Sequence, residues 1–82
     1  MDAPDPTFAA QVRAARALLN WSQSELAERS GVSRPVIARV ETTATDARSS
    51  TVRAIVAAFQ AAGVSFVNGS NGSYGLHRRS SD

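Results

Sequence analysis

The chain has 82 residues, 43% of them hydrophobic, with a formal net charge of only +2. That length allows one domain near the small end of what folds alone. There is no cysteine, which removes a disulfide scaffold and a thiolate metal site and leaves helix packing, aided by oligomerisation, to stabilise the chain.

Residues 1–6, MDAPDP, read as a loose, flexible lead-in: they hold two prolines and two aspartates and are unlike a signal peptide. No apolar run approaches the length of a membrane span. The expectation is a soluble, cytoplasmic, nucleoid-associated protein with no membrane partner. Thr7 is the expected N-cap of a first helix over 8–19, whose buried face is marked by Phe8, Val12, Ala15 and Leu19 at helical spacing. Asn20 ends it. Trp21 is expected as a core plug between the first and second helices.

Ser22 precedes a second helical pattern over 23–30, and its hydroxyl suits the N-cap. Leu26 and Ala27 face inward. Gly31 ends the helix, because a C′ residue often needs positive φ and glycine adopts it without a Cβ clash. Val32 plugs the turn and Ser33 caps a third helix. Pro35 is tolerated because first-turn N–H groups have no intrahelical partner. Val36, Ile37 and Val40 give this helix an inner face and leave Arg34, Ala38 and Arg39 outside. A polar loop, TTATDARSS, follows Glu41. Ser49 or Ser50 should cap a fourth helix over 50–62, with Val52, Ile55, Val56 and Phe59 as its stripe and Gly63 as its stop. The period then changes. Residues 64–67 and 74–77 read as short strands around the turn signals Asn68-Gly69 and Asn71-Gly72. The expected organisation is a flexible lead-in at 1–6, a helical domain at 7–63, a hairpin at 64–79 and a tail at 80–82. A lone hairpin is marginal in water. It therefore packs on the fourth helix or offers Phe66, Val67, Tyr74 and Leu76 to another chain.

The spacing of 22–41 carries the argument. Ala27 lies four residues before Gly31, and Ile37 and Val40 lie six and nine after it. A small residue at the helix crossing, a turn-former at the corner and an apolar pair on the second helix are what a helix-turn-helix requires. Its second helix enters the DNA major groove. The charge placement agrees. Arg34, Arg39, Arg48 and Arg53 fall on or after that helix, opposed only by Glu41 and Asp46.

On Arg16, Trp21-Ser22-Gln23, Glu25-Leu26-Ala27, Gly31-Val32-Ser33-Arg34, Ile37, Arg39 and Glu41, the chain resembles the lambda Cro and repressor family of helix-turn-helix regulators, also called the xenobiotic-response-element family. The resemblance runs from about residue 8 to residue 63. It implies a mainly α fold: a four-helix lambda-repressor-like DNA-binding domain, here with a short C-terminal β-hairpin. It also implies double-stranded DNA as partner, with Ser33, Arg34, Pro35, Ala38 and Arg39 turned toward it and Gln23 as a backbone clamp. The family pairs the positions of Arg16 and Glu41 in a partly buried ion pair. The loop departs from the family pattern at Thr43 and Ala47.

Arginine suits guanine because its planar fork meets O6 and N7 together. Arg34 is therefore the first candidate for base reading. Arg39 is either a second reader or a phosphate clamp. Pro35 and Ala38 offer apolar contact, for example to a thymine methyl. Ser22, Gln23, Ser33 and Arg48 are the phosphate-binding candidates; for the two serines, simple capping is an equal reading. His77 stands alone, with no carboxylate pair, histidine cluster or nucleophile–base set, so neither catalysis, cofactor nor metal is expected. The leading expectation is a sequence-specific transcriptional regulator, a repressor acting as a homodimer on a dyad-symmetric operator with residues 33–41 in the major groove. The alternative is an antitoxin or antiactivator whose main partner is another protein.

Overall fold

The computed structural model describes residues 7–42, 48–71 and 73–79. The expected lead-in at 1–6, the loop departures at Thr43 and Ala47 with the charge of Asp46, the turn residue Gly72 and the tail at 80–82 lie outside the described residues. Four helices and a hairpin follow in order: α1 (Thr7–Leu19), α2 (Gln23–Ser30), α3 (Arg34–Thr42), α4 (Ser49–Ala61), β1 (Val64–Asn68) and β2 (Tyr74–Arg78).

The core sits where the apolar faces of the four helices and β1 converge. Val12, Ala15, Leu26, Ile37, Val40, Ile55, Ala58, Phe59 and Val64 are buried there, and Phe8, Leu19, Trp21, Ala27, Val32, Val36, Phe66 and Leu76 pack around them. Phe59 is the hub. Its ring stacks on Trp21 at 5.4 Å and meets Phe66 at 5.7 Å, and Phe66 in turn meets Phe8 at 5.6 Å. This chain of rings joins all but α2, α3 and β2 in one aromatic run, each offset pair adding to its area burial. Trp21, expected as a core plug between the first two helices, packs against the core with Arg29 of α2 over its ring. It also reaches α4, where it covers the Phe59 ring nearly parallel, at 16°.

The ends of α1 and α2, at Asn20 and Gly31, are as expected, and the starts of α1 and α4 differ. Thr7 is the first residue of α1 rather than its cap. Asn20 closes α1 in the left-handed region at φ 57, and the Trp21 N–H donates to the Arg16 carbonyl at 2.9 Å. That six-residue closure satisfies a carbonyl the helix leaves open. Gly31 closes α2 in the same left-handed region at φ 75, its N–H donating to the Ala27 carbonyl in the simpler five-residue closure. At α4, neither Ser49 nor Ser50 is the cap. Both lie in the helix, and Arg48, with extended backbone and no side-chain cap bond, holds the N-cap position. The helix thus starts one residue earlier than the serine signal suggested and ends at Ala61, with Gly63 beyond it at φ 89.

The strands pair antiparallel, Phe66 opposite Leu76 and Val67 opposite Gly75. Asn68 remains paired with Tyr74; the Asn68-Gly69 signal therefore marks the last rung rather than the turn. Asn71 turns the chain: its Oδ1 accepts from the Ser73 N–H at 3.1 Å and hydroxyl at 2.7 Å. The hairpin lies against the body, α4 meeting β1 and α1 meeting β2. Gln11, 2% exposed, fastens it. Its Nε2 donates to the Val67 carbonyl at 3.2 Å and the Gly75 carbonyl at 3.0 Å. Below it the Arg79 N–H donates to the Gly63 carbonyl. No described helix is long and apolar enough to cross a membrane.

Candidate nucleic-acid interface

The α2–α3 unit is built as its residue types dictate. Ser22 caps α2, its Oγ accepting from the Glu25 N–H at 3.0 Å. Leu26 and Ile37 are fully buried and Val40 nearly so, which fixes the roll of α3 about its axis. That roll decides what faces outward. Ser33, Arg34, Pro35 and Arg39 are exposed; Ala38, expected to face out with the two arginines, is half-buried. Ser33 contributes its carbonyl to α3, accepting from the Ile37 N–H at 3.0 Å.

The polar centre of the unit is Glu41. Its side chain is 4% exposed and receives a two-pronged arginine. Arg16 Nε donates to Oε2 at 2.6 Å and Nη2 donates to Oε1 at 2.8 Å. The third guanidinium nitrogen, Nη1, donates to the Trp21 carbonyl at 2.9 Å. The hydrogen bond to Glu41 and its charge raise the Arg16 pKa above its ordinary value, against the opposing effect of burial. Gln23 adds a third donor to the carboxylate, Nε2 to Oε1 at 3.2 Å, and Arg13 donates to the Glu41 backbone carbonyl. Arg16, Gln23 and Glu41 thus tie α1 and the start of α2 to the last turn of α3. A bidentate guanidinium–carboxylate pair fixes orientation as well as distance.

This network shapes the electrostatics of the unit. Glu41 is buried and matched by Arg16, and Glu25 is matched by Arg29 at 2.7 Å. Arg29 also lies over the Trp21 ring at 4.5 Å. The exposed side of α3 carries Arg34 and Arg39, while Glu41 and Glu25 are each held by an arginine. Arg48 is exposed at the start of α4, and Arg53 is exposed one turn later. Of the phosphate-binding candidates, Ser22 and Gln23 stand together at the α2 N-terminus, Ser33 leads into α3, and Arg48 stands apart at α4. Of the hairpin candidates, Phe66 and Leu76 pack on this chain's own core, whereas Val67 and Tyr74 are 48% and 51% exposed.

Sequence reasoning missed two residues. Gln11 lies three residues after Phe8 and four before Ala15, so helical spacing put it on the buried face; its polarity hid that. Arg13 gave no comparable signal, since its acceptor is a backbone carbonyl 28 residues away. Among the described residues no group of three or more His, Cys, Asp or Glu could hold a metal ion.

No curated protein matches the chain. A family model for the helix-turn-helix of Cro/C1 type matches residues 12–63. That span runs from the first turns of α1 through α4 to Gly63 and takes in the whole capped, glycine-turned unit. The family is one of DNA-binding transcription regulators. By this match and by the structure that underlies it, the chain belongs to the Cro/C1-type helix-turn-helix family.

Proposed function

We propose that the protein is a sequence-specific repressor that binds a dyad-symmetric operator as a homodimer, with α3 in the major groove. The observation that carries this reading is the outward side of α3: Arg34 and Arg39 are exposed on a helix whose roll is fixed by buried Ile37 and Val40. Arg34, in the first turn, reads a base edge. Arg39 and the half-buried Ala38 extend the contact, and Gln23, Ser22, Ser33 and Arg48 hold phosphates. One such helix reads few base pairs, so specificity calls for two copies with half-sites about one helical turn apart. The hairpin supplies the dimer contact through Val67 and Tyr74. Phe66 and Leu76, also candidates from sequence, serve it indirectly by seating the hairpin on the body.

Selection of bound sequences from genomic DNA with the purified protein, followed by salt titration on the best site, tests the reading. A dyad-symmetric motif and a steep salt slope are expected. Arg34→Ala should relax preference at one base position by ~1–3 kcal/mol, while Gln23→Ala should weaken all sequences alike. Failure to enrich any motif would favour a protein as the main partner. Removing the hairpin outright is a poor test of dimerisation, since it would strip buried Val64 and the Phe66 ring from the core. Val67→Arg and Tyr74→Glu alter exposed positions instead. Each should weaken the dimer about tenfold or more in sedimentation, and an unchanged dimer in both would remove the hairpin from the interface.

A further inference from the structure

The Glu41 carboxylate does more than pair with Arg16. We propose that Glu41 is a positioning residue for the phosphate contact made by Gln23, acting through the hydrogen bond between Gln23 Nε2 and Glu41 Oε1. The inference rests on the DNA-binding reading and adds a residue to it.

The argument is one of donors and acceptors. An ionised carboxylate only accepts, and an amide has one donor end and one acceptor end. Facing Glu41, Gln23 must present Nε2, as it does at 3.2 Å. One of the two Nε2 hydrogens is used there, and the other is left to meet a phosphate oxygen. The amide is thus held before DNA arrives, and the ordering cost of that side chain is met in the free protein. Glu41 is held in its turn. Arg16 grips both its oxygens, and the Arg13 donation to its carbonyl fixes the backbone beneath it. The same grip offsets a negative charge that would otherwise stand behind a phosphate site. The ion pair of α1 and α3 is in this way continuous with the DNA contact of α2.

Glu41→Gln separates this role from simple packing. A glutamine at 41 keeps the shape but has one acceptor end only. Arg16 donates to both oxygens of Glu41, so in the variant one of its prongs meets an N–H₂. The two-pronged grip is lost, and with it the fixed acceptor that holds the Gln23 amide. Side-chain amide NMR of the free protein should show the Gln23 Nε2 resonances shifted in the variant. DNA affinity at the selected site should fall about 3- to 10-fold, roughly the cost of ordering one side chain, and should fall for all sequences alike. In the Gln23→Ala background the same substitution should have no further effect on affinity. Equal losses in the two backgrounds, or unshifted Gln23 amide resonances, would overturn the proposal. If Glu41→Gln does not fold, Glu41→Asp withdraws the carboxylate by one methylene while keeping its charge, and the same two outcomes decide. A wild-type protein that binds no DNA motif would sink the DNA-binding reading itself; a specific wild-type binder with additive losses would sink only the role of Glu41.

Discussion

At the α2–α3 end of the molecule, a buried carboxylate gathers Arg16 and Gln23 and draws three helices together; at the hairpin end, one neutral amide, Gln11, holds two strands to α1. The first arrangement is charged, directional and built from elements near one another in the chain. The second is neutral and joins residues 56 and 64 positions apart. The surfaces they support differ too. The first presents the exposed arginines of α3; the second presents exposed Val67 and Tyr74 on its strands, with Arg78 and Arg79 exposed at its end.

The largest test of this contrast is at Arg16 and Glu41. Arg16→Ala and Glu41→Ala should each lower stability by ~3–5 kcal/mol, because each strands a charge that burial has stripped of water. The double substitution should cost much less than the sum. Chemical denaturation of the four proteins in a double-mutant cycle measures the coupling, and additive losses would mean that the pair holds nothing together. Arg16→Lys keeps the charge but gives up the planar fork and the Trp21 contact, so it should recover only part of the loss.

Gln11→Leu comes next. It leaves the Val67 and Gly75 carbonyls without this donor, at a cost of ~1–3 kcal/mol. Hydrogen exchange should quicken in β1 and β2 and stay unchanged in α2 and α3. Equal loosening at both ends would show that the two fastenings belong to one cooperative unit and that the contrast is only geometric.

These two residues also mark what the sequence could disclose. The α2–α3 unit was legible because its signals are local: Ser22 and Gly31 act on backbone within four residues of themselves, and Ile37 and Val40 follow the helical period. The partnership of Arg16 with Glu41 came from family resemblance, since nothing in the spacing of two charges 25 residues apart names them a pair. The hairpin's existence was legible from turn residues and the change of period, but not how it is seated. Gln11 reads as polar on a helix face whose apolar members are plain, and its burial makes sense only once the strands supply carbonyls for it. The core role of Trp21 was legible, but its stacking partner was not, Phe59 being 38 residues on. The α4 cap failed because three hydroxyl residues in a row, Ser49, Ser50 and Thr51, all carry the capping signal, and the backbone starts the helix ahead of them.

The smallest effect concerns Ser22, where fold and function meet in one hydroxyl. Its Oγ already accepts from the Glu25 N–H, so Ser22→Ala should cost ~1 kcal/mol of stability. The same hydroxyl keeps its own hydrogen to donate, and it stands beside Gln23 at the positive end of α2. If it holds a phosphate, Ser22→Ala should weaken binding of every sequence and leave the salt slope unchanged, because a neutral donor displaces no counterion of its own. Ser22→Asp restores the cap but places a carboxylate at the phosphate. Stability should therefore return while DNA affinity falls further. A variant that recovers both would make Ser22 a cap alone and leave the α2 end of the interface to Gln23 and the backbone.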